Sequence, residues 1–139
     1  MLDCFAGAGG LGLEAASREA RQVTLVEKDR AASINLQQQC EKIGAHNTQV
    51  IHDDVLHFLQ HGDETYDVIF IDPPFAQAHL REQALEALIN KNLLNNKALI
   101  YLEWPKHLQM RLIHDELTWV KQKSAASVCY GVAQWQVTG

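Results

Sequence analysis

Short apolar runs rich in β-branched residues alternate along this chain with longer amphipathic stretches, and this alternation limits the folds open to it. The runs at 22–27, 48–52, 66–71 and 98–102 are predicted strands. The stretches between them predict helices, because apolar residues recur there every three or four positions. Alternating strands and helices are typical of a parallel sheet with helices on both faces. We therefore predict an α/β fold.

The ends of the helices are indicated by capping residues and glycines. Asp29 can cap a helix that runs to about Ile43, where Gly44 stops it. The other predicted helices cover residues 11–18, 54–61 and 79–90. Residues 1–4 are predicted to be the end of a strand that leads into the first helix. Only three residues precede Cys4, so we expect the chain to be truncated at its N-terminus.

After about His114 the pattern changes. Residues 117–123 and 128–137 are predicted strands with only four residues, 124–127, between them. So short a link suits an antiparallel hairpin and not a helical crossover. A mostly parallel sheet that ends in an antiparallel pair is typical of Rossmann-like methyltransferases, so we expect residues 1–139 to form a single domain of that fold.

A glycine-rich loop follows the first predicted strand. Gly7, Gly9 and Gly12 match G-x-G-x-x-G, in which glycine lets the backbone turn tightly beside a ligand. This spacing suits NAD as well as S-adenosylmethionine. Asp3 separates the two, because a carboxylate there would repel a pyrophosphate but attract the ammonium and sulfonium of S-adenosylmethionine. We therefore predict S-adenosylmethionine as the cofactor; the alternative is a structural turn with Asp3 as a helix N-cap.

Two further acids follow the next two strands. Glu27 ends the second strand, where an acid can accept hydrogen bonds from both ribose hydroxyls. Asp54 follows the third strand and can accept from the adenine amino group. It can equally cap a helix, and both roles can coexist because a carboxylate has two oxygens; Asp53 is the neighbouring rival. The predicted cofactor-binding set is Asp3, Phe5, Gly7, Gly9, Glu27, Asp54 and Val55.

Asp72, Pro73, Pro74 and Phe75 follow directly on the strand 66–71 and are the predicted catalytic residues. This is the edge of the sheet where α/β ligand sites lie. The lone pair of a base amino group is delocalised, so a charged acceptor such as Asp72 is needed to stabilise the positive nitrogen that forms on methylation. The prolines lack N–H groups and fix φ. Phe75 can stack on an unstacked base, and the structural alternative is a Pro-Pro turn capped by Asp72.

Four segments of the chain resemble the RsmD family: D-C-F-A-G-A-G-G-L-G-L-E-A, T-L-V-E-K-D, D-P-P-F and A-L-I-Y-L-E. The resemblance runs from Leu2 through the terminal strands. It implies a methyltransferase that uses S-adenosylmethionine to modify the N2 amino group of a guanine in 16S rRNA of the small ribosomal subunit. Its implied contacts are Asp3, Gly7 and Gly9 at the cofactor's amino-acid end, Glu27 at the ribose, Asp54 at the adenine, and Asp72 to Phe75 at the guanine.

The chain departs from this family in one respect. RsmD proteins have a segment with basic residues ahead of the glycine loop, and it is absent here. The formal net charge is −5, which argues against tight binding of RNA by this chain unaided, because phosphate neutralisation supplies much of such affinity. The missing segment or a partner can supply the positive surface. Lys106, His107 and Arg111 are candidate RNA contacts within the chain.

Other functions fit parts of the same pattern. The first alternative is methylation of adenine N6 or of a protein amide, and the second is a nicotinamide-dependent oxidoreductase. The third is a ribosome-assembly factor that keeps the fold without catalysis. Glu103, beside Trp104, is interpreted as a surface or sheet-end acid and not as catalytic.

Composition excludes several classes of protein. No apolar run approaches the roughly 20 residues that cross a bilayer, and no signal peptide is evident, so we expect a cytoplasmic protein without membrane contact. The three cysteines are odd in number and far apart, which argues against a disulfide framework or a zinc knuckle. His57 and His61 lie one helical turn apart, but no third ligand accompanies them. We therefore expect no metal, and a monomer.

Overall fold

The structure is a computed structural model that describes residues 1–7, 22–73, 79–108, 110, 112 and 114–137. In this part of the chain the strands are β1 (Leu2–Asp3), β2 (Val23–Glu27), β3 (Thr48–His52), β4 (Tyr66–Ile71), β5 (Leu94–Pro105), β6 (Leu117–Ser124) and β7 (Val128–Trp135). The helices are α1 (Arg30–Ile43), α2 (Val55–Gln60) and α3 (Leu80–Asn90). The predicted helix over 11–18 lies outside the described residues, as do Gly9, Gly12, Pro74, Phe75 and Arg111.

These strands form one sheet in the order β3-β2-β1-β4-β5-β7-β6. The first five strands in this order are parallel to one another, whereas β7 is antiparallel to both β5 and β6. The predicted fold, a mostly parallel sheet that ends in an antiparallel pair, is confirmed. The sequence did not predict that β7 would lie between β5 and β6, which leaves β6 at the edge.

Helices cover both faces of the sheet. On one face, Leu36 and Cys40 of α1 pack against Leu25 of β2. On the other face, α2 and α3 pack with Val26 and with the apolar side chains of β4 and β5. Leu25 and Val26 belong to different clusters because successive side chains of a strand point to opposite faces. The core therefore has two layers, and the carboxyl ends of the parallel strands emerge at one edge between them.

The two ends of α1 lie where the capping residues predict. The Asp29 side chain accepts a hydrogen bond from the backbone N–H of Ala32 at 2.8 Å. Gly44 has a φ of 69°, a left-handed conformation that glycine adopts without the steric cost of a Cβ. Its N–H donates to the last carbonyls of the helix. Local side-chain chemistry thus determines the position of α1 along the chain.

Strand β5 is longer than the predicted 98–102. It begins at Leu94, which pairs with Tyr66, and the register then shifts before Val68 pairs with Leu99. Lys97 has a φ of 70° at this irregularity. At its other end β5 continues to Pro105, which pairs with Val128. The apolar pattern predicted only the central part, because the ends of β5 are held by hydrogen bonds to strands distant in sequence.

No helix in the described ranges is long and apolar enough to span a membrane. The three cysteines are free, with Cys4 and Cys40 buried and Cys129 half-buried.

Candidate active site

A crevice of about 430 Å³ opens at the carboxyl ends of the parallel strands. Sites for small molecules usually have volumes of roughly 300–1,000 Å³, so the crevice suits a ligand of that class. Its described lining residues come from the ends of five strands and the start of two helices. They are Cys4, Phe5, Ala6, Gly7, Val26, Glu27, Lys28, Asp53, Asp54, Val55, Asp72, Pro73, Leu80 and Glu103. Residues predicted to bind the cofactor thus share one cavity with Asp72 and Pro73.

The turn after β1 is fastened to strands on both sides. The N–H of Cys4 donates to the carbonyl of Phe70, and the N–H of Ala6 donates to the carbonyl of Val26, each at 3.0 Å. Gly7 has a φ of 53°, in the left-handed region that glycine tolerates. Its N–H donates to Glu27 Oε1 at 2.8 Å. The sequence-predicted Gly7 and Glu27 are therefore directly bonded to each other.

Glu27 connects two loops at the rim of the crevice. While Oε1 accepts from Gly7, Oε2 accepts from the N–H of Asp29 at 2.7 Å. An ionised carboxylate offers about four lone-pair positions, so each oxygen keeps capacity for another donor. Glu27 can therefore hold the loops in place and still receive the hydroxyls of a ribose.

The structure places Asp3 differently from the expectation that it lines the ligand site. Its side chain is only 4% exposed and is absent from the described lining of the crevice. The carboxylate accepts the N–H of Phe5 at 3.3 Å. Burial, together with the charge of Glu27, raises its pKa to about 6 despite that bond. Asp3 is buried because β1 is flanked by β2 and β4, so its part in cofactor binding stays a prediction.

Asp54 has the helix-capping role that the sequence allowed, and its second oxygen lies outside the cap. Its Oδ1 caps α2 by accepting the N–H groups of Leu56 at 2.9 Å and His57 at 3.3 Å. Its Oδ2 lies 4.0 Å from Lys28 Nζ, an exposed ion pair. The rival Asp53 has both oxygens engaged, one by the N–H of Asp54 and one by His57 Nδ1, each at 2.8 Å. Asp54 is therefore the better placed of the two to accept from a ligand.

Asp72 and Pro73 follow β4 at the far wall of the crevice. The Asp72 side chain is exposed, whereas Pro73 is buried. Partial removal from water is the main reason that the pKa of Asp72 is raised to about 7. The negative charge of Glu103 and a hydrogen bond with Glu103 contribute to the same shift. The charge of Asp3 acts in the same direction, and Arg81 opposes it. Asp72 therefore changes its charge close to neutral pH.

Glu103 is a crevice residue that was not among the predicted site residues, having been interpreted as a surface or sheet-end acid. It lines the crevice next to Asp72. Because Ile71 pairs with Leu102, the register of β4 and β5 brings the next two residues, Asp72 and Glu103, side by side. The pattern that could have found it is an acid directly after the buried residues of each strand, in D-P-P and in Y-L-E.

The crevice is strongly acidic. Of its described lining residues, Glu27, Asp53, Asp54, Asp72 and Glu103 carry carboxyl groups, and Lys28 is the one lysine or arginine. Such a wall disfavours a pyrophosphate and favours a ligand with positive groups.

Two predicted RNA contacts, Lys106 and His107, are absent from the described lining of the crevice. Lys106 and His107 are exposed just beyond the end of β5. His57 bonds to Asp53 and stacks on His61, with ring centroids 4.3 Å apart. Among the residues that the structure describes, no group of three or more His, Cys, Asp and Glu could hold a metal ion.

The raised pKa of Asp72 predicts how stability depends on pH. Between pH 3.8 and about 7 the unfolded chain loses this proton while the folded chain keeps it, so the folded state loses stability as pH rises through that window. Above pH 7 Asp72 is charged in both the folded and the unfolded chain, so its destabilising effect no longer changes with pH. Asp72→Asn removes the charge, so we expect it to raise the melting temperature at pH 8 and to leave it nearly unchanged at pH 4.

Thermal melts of both proteins from pH 4 to pH 8 test this expectation. Asp67→Asn is the matched control, since Asp67 is an exposed acid at the other end of β4. A melting difference for Asp72→Asn that is the same at every pH would contradict the assignment of the raised pKa to Asp72.

Residues 1–134 match the family described as Conserved hypothetical protein 95. Ribosomal RNA small subunit methyltransferase D of Escherichia coli K12 is 35% identical over 138 residues, which cover 99% of this chain and 69% of that protein. The protein of the same name from Buchnera aphidicola subsp. Baizongia pistaciae is 37% identical over 133 residues, covering 94% of this chain and 67% of that protein.

Solved structures give the same result. The structure described as "Putative methyltransferase yhhF" from Escherichia coli has a TM-score of 0.92 and 35% identity, and the match covers 97% of this chain and 75% of that one. A conserved hypothetical protein from Streptococcus pyogenes has a TM-score of 0.88 at 28% identity, with 97% and 84% of the two chains covered. The similarity therefore extends over nearly the whole of this chain.

Proposed function

Because this chain belongs to the family described as Conserved hypothetical protein 95, as its resemblance to RsmD proteins predicted, we propose that it methylates small-subunit rRNA. The methyl donor is S-adenosylmethionine and the acceptor is the N2 amino group of a guanine. The names of the relatives that are 35–37% identical support an rRNA methyltransferase. The observation that carries the proposal is that Asp72 lines the same crevice as Gly7 and Glu27.

The residues of the crevice fit S-adenosylmethionine. When bound, this cofactor supplies an electrophilic methyl group on a positively charged sulfur. Glu27 has acceptor capacity for the ribose hydroxyls, and Asp54 Oδ2 is free of the helix cap and can accept the adenine amino group. The left-handed turn at Gly7 brings backbone close to the ligand, and Phe5 and Val55 add apolar surface. Asp3 adds negative charge beneath the turn, next to the cationic end of the ligand.

The acceptor side of the crevice suits an amino group. Asp72 accepts hydrogen bonds from the amino hydrogens and stabilises the positive charge that develops on nitrogen. Pro73 follows without an N–H, so no backbone donor at this position competes with the amino group for Asp72. We expect Pro74 and Phe75 to complete this wall, with the ring of Phe75 stacking on the base. After the transfer, the methylated nitrogen carries a positive charge and is acidic. It loses a proton to this carboxylate or to water.

The nicotinamide-dependent alternative is not favoured. The relatives that are 35–37% identical are named as methyltransferases, and the acidic lining of the crevice is unsuited to a pyrophosphate. A non-catalytic assembly factor with this fold would bind RNA or ribosomal particles without transferring a methyl group.

A direct assay tests the proposed function. The protein is incubated with tritiated S-adenosylmethionine and unmodified small ribosomal subunits or 16S rRNA, and the nucleosides are separated after nuclease digestion. We expect tritium in N2-methylguanosine and micromolar binding of S-adenosylhomocysteine, with no binding of NADH at the same concentrations. Binding of S-adenosylhomocysteine without label in any RNA would contradict the enzymatic proposal.

A further inference from the structure

Asp72 and Glu103 form a pair of neighbouring acids at the carboxyl ends of β4 and β5. The register Phe70–Tyr101 and Ile71–Leu102 continues to Asp72 and Glu103, so both side chains leave the same face of the sheet. Adjacent strands lie about 4.8 Å apart, so the two side chains are close enough to contact the same ligand. Both acids line the crevice, and both also line a much smaller cavity beside it.

Glu103 is held in place by Tyr101. The Tyr101 hydroxyl donates to Glu103 Oε1 at 2.6 Å. The tyrosine ring in turn contacts Phe70 and Tyr130, with centroids 5.5 and 6.3 Å apart. One oxygen of Glu103 is therefore occupied by Tyr101 and its orientation fixed, and Glu103 also forms a hydrogen bond with Asp72. A carboxylate offers about four lone-pair positions, so Glu103 keeps acceptor capacity for a ligand.

The charges around this pair determine whether it accepts or donates hydrogen bonds. Partial burial, and then Glu103 and Asp3, raise the pKa of Asp72, whereas Arg81, which is 3% exposed, opposes them. Arg81 lines the small cavity with both acids, and its Nε has no hydrogen-bond partner among the described residues. Asp72 loses its proton near pH 7, and an ionised carboxylate presents only acceptors to a ligand.

Two adjacent acceptors distinguish the purines. The Watson–Crick edge of guanine presents two neighbouring donors, the N1–H and the N2 amino group. Adenine presents its N6 amino group beside N1, which is an acceptor and would face a carboxylate. Enzymes that flip a base read this edge with side-chain hydrogen bonds. When the wrong ligand leaves a buried polar group of the site unpaired, the site discriminates strongly against that ligand.

We propose that Glu103 selects guanine by accepting the N1–H, while Asp72 accepts the adjacent amino group that is methylated. This inference rests on the proposed function and adds a specificity residue to it. Tyr101 is a positioning residue, because it acts on the base only through Glu103.

The test compares guanosine with 2-aminopurine at the methylated position. 2-Aminopurine keeps the amino group at C2 but has an acceptor at N1, and it also lacks the oxygen at C6. The change in base preference caused by Glu103→Gln, and not the preference of the wild type by itself, therefore reports on the N1–H. The methylated guanosine is first located by mass spectrometry of the wild-type product. Short RNAs with either base at that position are then methylated by wild type and by Glu103→Gln. The amide of glutamine can accept from guanine or donate to N1 of 2-aminopurine.

We expect the wild type to prefer guanosine by about tenfold to a hundredfold in kcat/KM, the effect of one hydrogen bond to a charged group. Glu103→Gln should lower guanosine methylation by a similar factor and reduce the preference to about threefold or less. Tyr101→Phe should have an intermediate preference. Binding of S-adenosylhomocysteine should be unchanged in both variants, which also shows that they are folded.

An unchanged preference in Glu103→Gln, with cofactor binding intact, would overturn the inference. Glu64→Gln at the opposite end of the sheet is the matched control and should behave as wild type. Failure of the proposed function gives a different result, since the wild type would then label neither RNA.

Discussion

Replacing Asp72 with alanine is expected to lower kcat for methyl transfer by about a hundredfold to a thousandfold, the usual effect of removing one group that stabilises a developing charge. Asp72 lines the crevice at the end of β4 and is the closest acid to Glu103 in the strand register. Without it the amino nitrogen loses its charged acceptor. The alanine variant should still bind S-adenosylhomocysteine with nearly the wild-type Kd, because Glu27 and Asp54 lie on other strand ends.

Calorimetry with S-adenosylhomocysteine and a tritiated-methyl assay on the same preparations measure the two quantities. Asp72→Asn keeps an acceptor oxygen but loses the charge, so its kcat should fall between those of alanine and wild type. Asp67→Ala removes an exposed acid from the same strand, far from the crevice, and should leave kcat unchanged. Undiminished methylation by Asp72→Ala would exclude the assigned role.

The second large effect is expected at Glu27, whose removal should weaken binding of S-adenosylhomocysteine by about tenfold to a hundredfold. Glu27 accepts N–H groups from Gly7 and Asp29 and retains capacity for the ribose hydroxyls. Glu27→Ala therefore removes ligand contacts and also releases the turn that shapes the crevice. The melting temperature without ligand should fall as well, because two backbone N–H groups lose their acceptor.

Titrations well below the melting temperature separate loss of affinity from unfolding. Glu27→Gln keeps one acceptor oxygen and should have an intermediate Kd. Glu41→Ala, an exposed acid of α1, is the control and should match wild type. A Kd of Glu27→Ala within about twofold of the wild-type Kd would mean that Glu27 is not a ribose ligand. A twofold difference in Kd corresponds to less than about 0.5 kcal/mol.

Elements with strong local chemistry were predicted to the residue or nearly so. Helix α1 lies between Asp29 and Gly44, and β4 covers Tyr66 to Ile71, as expected from the sequence. Capping and β-branched apolar runs act over a few residues, so they are readable without the fold. The ends of β5 were not predicted, because they depend on pairing with β4 and β7.

The site was predicted only in part, for the same reason. Glu27, Asp54 and Asp72 each lie at or just after the carboxyl end of a strand, and the rule that α/β sites lie at these ends was sufficient to select them. Asp3 also ends a strand, but it is buried because β1 is central. Glu103 was missed because its proximity to Asp72 comes from the register of two strands, which no local pattern in the sequence specifies.

By itself the sequence determined the kinds of elements, their order and the acids at their ends, since these follow from side-chain periodicity, caps and turns. Only the tertiary structure decided which acids face a common crevice, which one is buried and which two lie side by side. Those properties arise from strand order, register and removal from water, and each depends on residues far apart in the chain.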